Sequence, residues 1–196
     1  MTTVGKIVLG MMGRLRPAPP TGNSASTIAL PAVDPHGGMA LMEALAARRS
    51  SREFAPDALP LPLLAGLLWA AFGVNRPDGG RTAPTALNAQ EIDLYVAMPA
   101  GAYRYDATKN VLVLVAAADV RRVTGYQDFV DEAPLDLVYV ADHTRLRMVP
   151  AGQRRRMPRS LPAPSARTSI CMPLHMAWPQ SSVPGSIATR SPRLWG

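Results

Sequence analysis

The sequence predicts an α+β fold, with helices flanking a mixed sheet. Apolar residues recur at helical spacing up to residue 73, then with a period of two from residue 91. A nearly continuous apolar run at 135–142 adds a strand suited to a sheet centre.

The first helix falls at 38–47 (GMALMEALAA), where Met39, Met42, Leu45 and Ala46 stand at helical spacing. Pro56 and Pro60 interrupt it, and LPLLAGLLWAAFG (61–73) makes a second, strongly apolar helix that ends at Gly73. GVNRPDGGR is turn chemistry, dense in Gly, Asn, Asp and Pro. EIDLYVAM (91–98) sets Ile92, Leu94 and Val96 against Glu91, Asp93 and Tyr95, a strand with one apolar face. GAYRYDATKNVLVLVA (101–116) reads as a hairpin, with Tyr103–Tyr105 against Val111–Val115 around a turn at Asp106–Asn110. A short helix from Asp119 to Thr124 stops at Gly125, and LDLVYVAD (135–142) returns as a strand. No internal repeat is present.

Charge divides the chain differently. The formal net charge is +7, yet residues 1–150 hold 14 basic and 14 acidic side chains. The whole excess lies in the last 46 residues, as 7 arginines with no acid, together with 7 of the 20 prolines. A nucleic-acid-reading face needs its cations arranged along an element or groove. Here they are scattered through Pro/Ser-rich sequence, the signature of disorder, so nucleic acid is excluded as a partner. The longest apolar runs fall short of eighteen residues, so no membrane span is expected. The single cysteine, Cys171, lies in the tail, and His36, His143 and His175 are isolated, so no metal site is expected.

At the N-terminus, Lys6 and a short apolar run from Ile7 to Met12 are followed at once by Arg14 and Arg16. A secretory signal would stay apolar and then present a small-residue cleavage site. The expected organisation is a disordered leader over 1–36, in a cytoplasmic protein, with a decayed export signal as the alternative. A partial domain over 37–149 and a disordered tail over 150–196 follow.

Two segments carry chemistry. RRSSREF (48–54) follows the first helix, and its arginines and hydroxyls can give charge-assisted hydrogen bonds to a phosphate. Taken alone, it reads more simply as a solvated helix end whose cations complement the dipole. RTAPTALNAQEIDLYVA (81–97) runs through a loop holding Asn88 and Gln90 directly into a strand. An amide at such a junction can bond the edge of a heteroaromatic ring, although a turn-forming Asn is the plainer reading.

In this order, about 35 residues apart with an apolar helix between them, the two segments resemble the FMN-binding pattern of the nitroreductase family. The wording of LLWAAFGVNRPDGGRTAPTALN is similar to its SagB-type branch, which includes dehydrogenases acting on azoline-bearing peptides. The resemblance covers about residues 37–149. It implies that Arg48, Arg49, Ser50 and Arg52, matching R-x-S-x-R/K, hold the phosphate and ribityl chain. It also implies that Asn88, matching P-S-x-x-N-x-Q, faces the isoalloxazine. Thr85 replaces the usual serine, Gln90 is retained, and Glu91-Ile92 replaces the aromatic-containing continuation of many members. The implied protein is a homodimeric oxidoreductase using FMN and NAD(P)H, with a small-molecule or modified-peptide electron acceptor. No Ser/His/Asp or paired-carboxylate constellation competes with flavin chemistry.

The resemblance ends where composition changes, and the genetic code suggests a frameshift near residues 150–157. Take the last base of each codon with the first two of the next. Met172-Pro173 and Trp178-Pro179 then give alanine, and Met176-Ala177 gives glycine, whatever the codons. The string GAISQNIHLYAAAHGLATVVR becomes available over 162–182, an amphipathic helix leading to a strand, as the family carries next. The fold is thus expected to be truncated after about residue 149. The rival to a working flavoenzyme is an inactive product that neither holds FMN nor dimerises, and a basic-tail binding module is a remote third.

Overall fold

A computed structural model describes residues 2–55, 57–85 and 88–145 of the chain. The tail over 150–196, with its reading as disordered and out of frame, lies outside the described residues.

In chain order the elements are α1 (Thr3–Met11), β1 (Thr27–Ala29), α2 (Leu41–Ala47), α3 (Leu61–Phe72), β2 (Ile92–Met98), β3 (Gly101–Asp106), β4 (Val111–Ala116), α4 (Arg121–Thr124) and β5 (Asp136–Ala141). Single 3-10 turns occupy Asp128–Asp131 and His143–Arg145. The strands form one sheet in the order β1-β4-β3-β2-β5.

Pleating explains the core. Ile92, Leu94 and Val96 alternate onto one face of β2, and their partners across the sheet share that face. Val96 opposes Tyr103 on β3 and Leu137 on β5, Leu94 opposes Tyr139, and Tyr105 opposes Leu112 on β4. Leu64, Ala65, Leu68, Ala71 and Phe72 of α3 join these side chains in one buried cluster. Pro60 and Pro62 sit at the start of α3, where a missing N–H leaves no intrahelical bond unmade. The helix is buried over most of its length, consistent with a sequence that is apolar almost all round.

The α+β reading holds, and α3, the β3–β4 hairpin and β2 fall where expected. Four features differ. Every strand pairing among the described residues is antiparallel, because β2, β3 and β4 follow one another through tight turns and β5 returns against β2. β5 lies at the edge of the described sheet rather than its centre, since a short apolar run does not by itself separate the two positions. α2 begins only at Leu41, and Ala44 is its one buried residue.

The largest difference is at the N-terminus, where residues 2–36 are integrated into the fold rather than a disordered leader. Lys6 of α1 is fully buried, with its Nζ 2.6 Å from Asp131 Oδ1 and 2.9 Å from the Gln127 carbonyl oxygen. Ala18 bridges Asp119, and β1 pairs with β4 to place Ile28 opposite Leu112. Composition alone suggested a leader because these anchors lie about a hundred residues away in sequence. Leu30 enters the core cluster directly, so the domain extends well before residue 37.

Truncating Leu68 to Ala should lower stability by about 2–5 kcal/mol, as for other buried leucines. The exposed Val115 of β4, cut to Ala, should stay within about 0.5 kcal/mol. Denaturant unfolding checks both, and equal losses would show that α3 does not carry the core.

Candidate functional site

The loop entering β2 has unusual backbone geometry. Asn88 and Gln90 adopt φ of 49° and 44°, the left-handed region. Asn tolerates this region, whereas Gln rarely visits it, so surrounding contacts must hold the Gln90 conformation. Gln90 Nε2 donates to the Gly79 carbonyl oxygen at 3.2 Å, and its Oε1 accepts from Arg81 Nε at 3.3 Å. Arg145 closes the arrangement from 55 residues downstream, donating Nη1 to the Gln90 carbonyl oxygen at 2.9 Å. Its guanidinium also grips both oxygens of Asp93, at 3.1 and 2.8 Å. That hydrogen bonding with Asp93 holds the Arg145 pKa above its ordinary value.

These residues border a cleft of about 330 Å³ lined by Phe72, Arg81, Asn88, Ala89, Gln90, Ile92, Asp93, Leu94, Tyr105 and Arg145. Arg81 is delivered by the turn after α3. Val74 bridges Arg81, Gly79 takes a φ of 82°, and Thr82 Oγ1 donates to the Trp69 carbonyl oxygen at 2.9 Å. The Arg81 guanidinium lies 5.2 Å from the centroid of the Phe72 ring. Its pKa is lowered, chiefly by burial and against the pull of Tyr105, Asp106 and Asp93. Burial likewise pushes the Tyr105 hydroxyl up to about 12, with Arg81 working in the opposite direction. Glu91 is fully buried but does not line the cleft, and its carboxylate oxygens have no hydrogen-bond partner among the described residues.

The other expected site residues stand elsewhere. Arg48 caps the C-terminus of α2, and Arg48, Arg49, Ser50 and Arg52 are all exposed. None of these three arginines pairs with a carboxylate among the described residues, and Arg52 lies 5.7 Å over the Phe129 ring. None of the four residues lines the cleft or the smaller depression that adjoins it at Asn88 and Arg81. The described structure therefore brings Asn88 into the cleft and leaves the four-residue segment outside it. Sequence reading missed Arg81, Tyr105, Asp93 and Arg145. Arg81 stood inside a segment already singled out, but Arg145 carries no local signal.

The model of the nitroreductase family matches residues 45–174, which take in the cleft and the 48–52 segment. The chain belongs to the nitroreductase family. The matched span runs on past residue 149. Members of this family are oxidoreductases and generally use a flavin. A crystal structure of a candidate nitroreductase from Ralstonia eutropha is similar, with 47% identity and a TM-score of 0.77. That similarity covers 82% of this chain and 77% of the other. A protein of Methanocaldococcus jannaschii described as a candidate nitroreductase is 29% identical over 119 residues. The match spans 56% of this chain and 60% of that relative's length. Among the described residues of this nitroreductase-family chain, no helix is long and apolar enough to cross a membrane, and no group of acidic, histidine or cysteine side chains has metal-binding geometry.

An unfolded Tyr titrates near 10, whereas folded Tyr105 holds its proton up to about 12. The contribution is complete below about pH 10 and falls as pH rises to about 12, because only the unfolded chain ionises in that window. Tyr105→Phe should flatten the decline in denaturant midpoint, and an unchanged slope would remove Tyr105 as its source. Arg145→Ala should release the loop at a cost of roughly 1–2 kcal/mol, the partial exposure of the pair keeping the value low. Hydrogen exchange should then quicken at the 88–91 amides but not in α3.

Proposed function

We propose that this chain is an oxidoreductase of nitroreductase type that uses FMN and NAD(P)H. The observation that carries the reading is the cleft at the start of β2, where the Asn88 and Gln90 amides meet the edges of the buried Phe72, Ile92 and Leu94. A heteroaromatic ring is held by apolar contact together with a few fixed polar groups. The residues fit FMN in charge as well, because Arg48, Arg49 and Arg52 have no carboxylate partner among the described residues. When bound, the flavin supplies two-electron chemistry between a nicotinamide and an acceptor.

The chain's own residues bind and orient. Asn88 would present its amide to the ring edge, with its backbone fixed ahead of the strand by the Arg145–Gln90 contact. Arg48, Arg49, Ser50 and Arg52 would hold the phosphate and ribityl chain, and Phe72 and Leu94 would shield the ring from water. The acceptor is a small molecule or a modified peptide, the latter following from the SagB-like wording of residues 67–88. A cytoplasmic homodimer is part of the same proposal. Exposed Leu41, Met42 and Leu45 on α2 offer a face for a second copy.

The frameshift is proposed alongside. The alternative frame offers an amphipathic helix leading to a strand over 162–182, whereas the family match in the written frame extends to residue 174. Sequencing the DNA across codons 145–160 decides between them. A colourless, aggregating preparation of the chain would favour the inactive truncated product over a working flavoenzyme.

In the frame-restored protein, Arg48→Ala or Arg52→Ala should weaken FMN binding about ten- to a hundredfold, through loss of a charge-assisted contact. Unchanged dissociation constants for both would place the phosphate elsewhere. Asn88→Ala should also lower the two-electron potential by about 20 mV, if its contact favours the reduced ring by roughly 1 kcal/mol. Spectroelectrochemistry at saturating FMN measures this, with Arg48→Ala as the control that should not shift. Equal potentials for wild type and Asn88→Ala would reduce Asn88 to a turn residue.

A further inference from the structure

We propose that Arg81 is the receptor for the anionic group of a flat, ring-bearing ligand in the cleft. The inference deepens the functional reading above and rests on the cleft being the ligand site.

The charge balance around the cleft leads to Arg81. Two cations and one carboxylate line it: Arg81, Arg145 and Asp93. Both Asp93 oxygens are taken by the Arg145 fork, so that pair is internally neutralised. Arg145 also lies 3.2 Å from Asp142. Arg81, by contrast, makes no ion pair among the described residues. Its hydrogen bonds are long and go to neutral acceptors, Gln90 Oε1 at 3.3 Å and the Phe72 carbonyl oxygen at 3.4 Å. Its Nη2 makes no hydrogen bond among the described residues. Asp93 and Asp106 act on Arg81 only at a distance, so the half-buried guanidinium has no carboxylate in contact, and an anion placed against it would recover part of the cost of its desolvation.

The neighbouring surfaces define the rest of the ligand. Phe72, Ile92 and Leu94 are core residues that reach the cleft only at their edges, and the Phe72 ring lies against the guanidinium. Tyr105 keeps its proton at neutral pH and adds no competing negative charge. Arg81 also lines the adjoining depression with Thr85 and Asn88, so its charge is shared by both openings. An aromatic or heteroaromatic body with a carboxylate or phosphate at its margin fits these contacts. The anion has two sources: an acidic electron acceptor, which leaves the flavin phosphate on the 48–52 segment, or the flavin's own phosphate, which would move it from that segment to Arg81.

Calorimetric titration of the full chain separates them. Benzoate and benzamide share a shape and differ in charge, as FMN and riboflavin differ by the phosphate. The wild-type chain should prefer the charged member of at least one pair by about tenfold, the scale of one charge-assisted contact. That preference should disappear in Arg81→Gln, survive in part in Arg81→Lys, and weaken with added salt in the wild type. Loss of the benzoate preference assigns the anion to an acceptor, and loss of the FMN preference assigns it to the flavin. Should Arg81→Gln fail to fold, the wild-type ratios, their salt dependence and Arg81→Lys still decide. Absence of both preferences in the wild type, or their full persistence in Arg81→Gln, overturns the proposal. An FMN preference that survives Arg81→Gln but vanishes in Arg48→Ala returns the phosphate to the 48–52 segment. Benzoate selection without any FMN binding would overturn the flavin reading and leave the role of Arg81 standing.

Discussion

Ile92, Leu94 and Val96 must face the same side of β2, and the geometry of the cleft depends on that requirement. Burying three alternate residues under α3 fixes the register of β2 against β3 and β5, since a slip by one would send all three outward. It also fixes the level at which the chain enters the strand, and therefore where Asn88 and Gln90 stand. The left-handed backbone at both residues lets the loop turn into the strand while keeping two amides on the cleft side. Core packing and site geometry are here one constraint.

The cleft is held by charges that serve different purposes. Arg145 ties the loop carbonyl to Asp93 and Asp142, one guanidinium shared between two carboxylates of the protein. Arg81 is held by the turn after α3 and by weak neutral contacts, which position the guanidinium without neutralising it. A closed pair gives rigidity, whereas an unpaired, partly desolvated cation keeps its capacity to bind.

Legibility in the sequence followed the range of the interactions. α3, β2 and the β3–β4 hairpin were readable because each declares itself within about ten residues, by apolar period or turn chemistry. The role of α1 was hidden, because Lys6 looks like the cation of a leader until Asp131 is brought beside it. β1 is three residues long and exists only because β4 offers it an edge. At the cleft, Asn88 was legible from its junction with the strand. Tyr105 was visible as a strand residue but not as a cleft residue, since that depends on which face α3 leaves uncovered. Arg145 reaches Gln90 across 55 residues, and no local pattern encodes such a contact.

The 48–52 segment stands apart from the cleft within the described fold, and only under the proposed function would the surface around it join the two. Leu41, Met42 and Leu45 are exposed on α2, and the helix runs directly into Arg48. Arg52 rests on Phe129, whose 3-10 turn also carries the Asp131 that anchors Lys6, so the segment is tied to the N-terminal side of the fold. In the proposed dimer a second copy covering α2 would exclude water from the edge where these arginines stand. A cation at such an edge attracts a phosphate more strongly than one surrounded by solvent, because the effective dielectric falls. The apolar face and the unpaired arginines would then act together, the first by displacing water and the second by supplying the charge that gains from its removal.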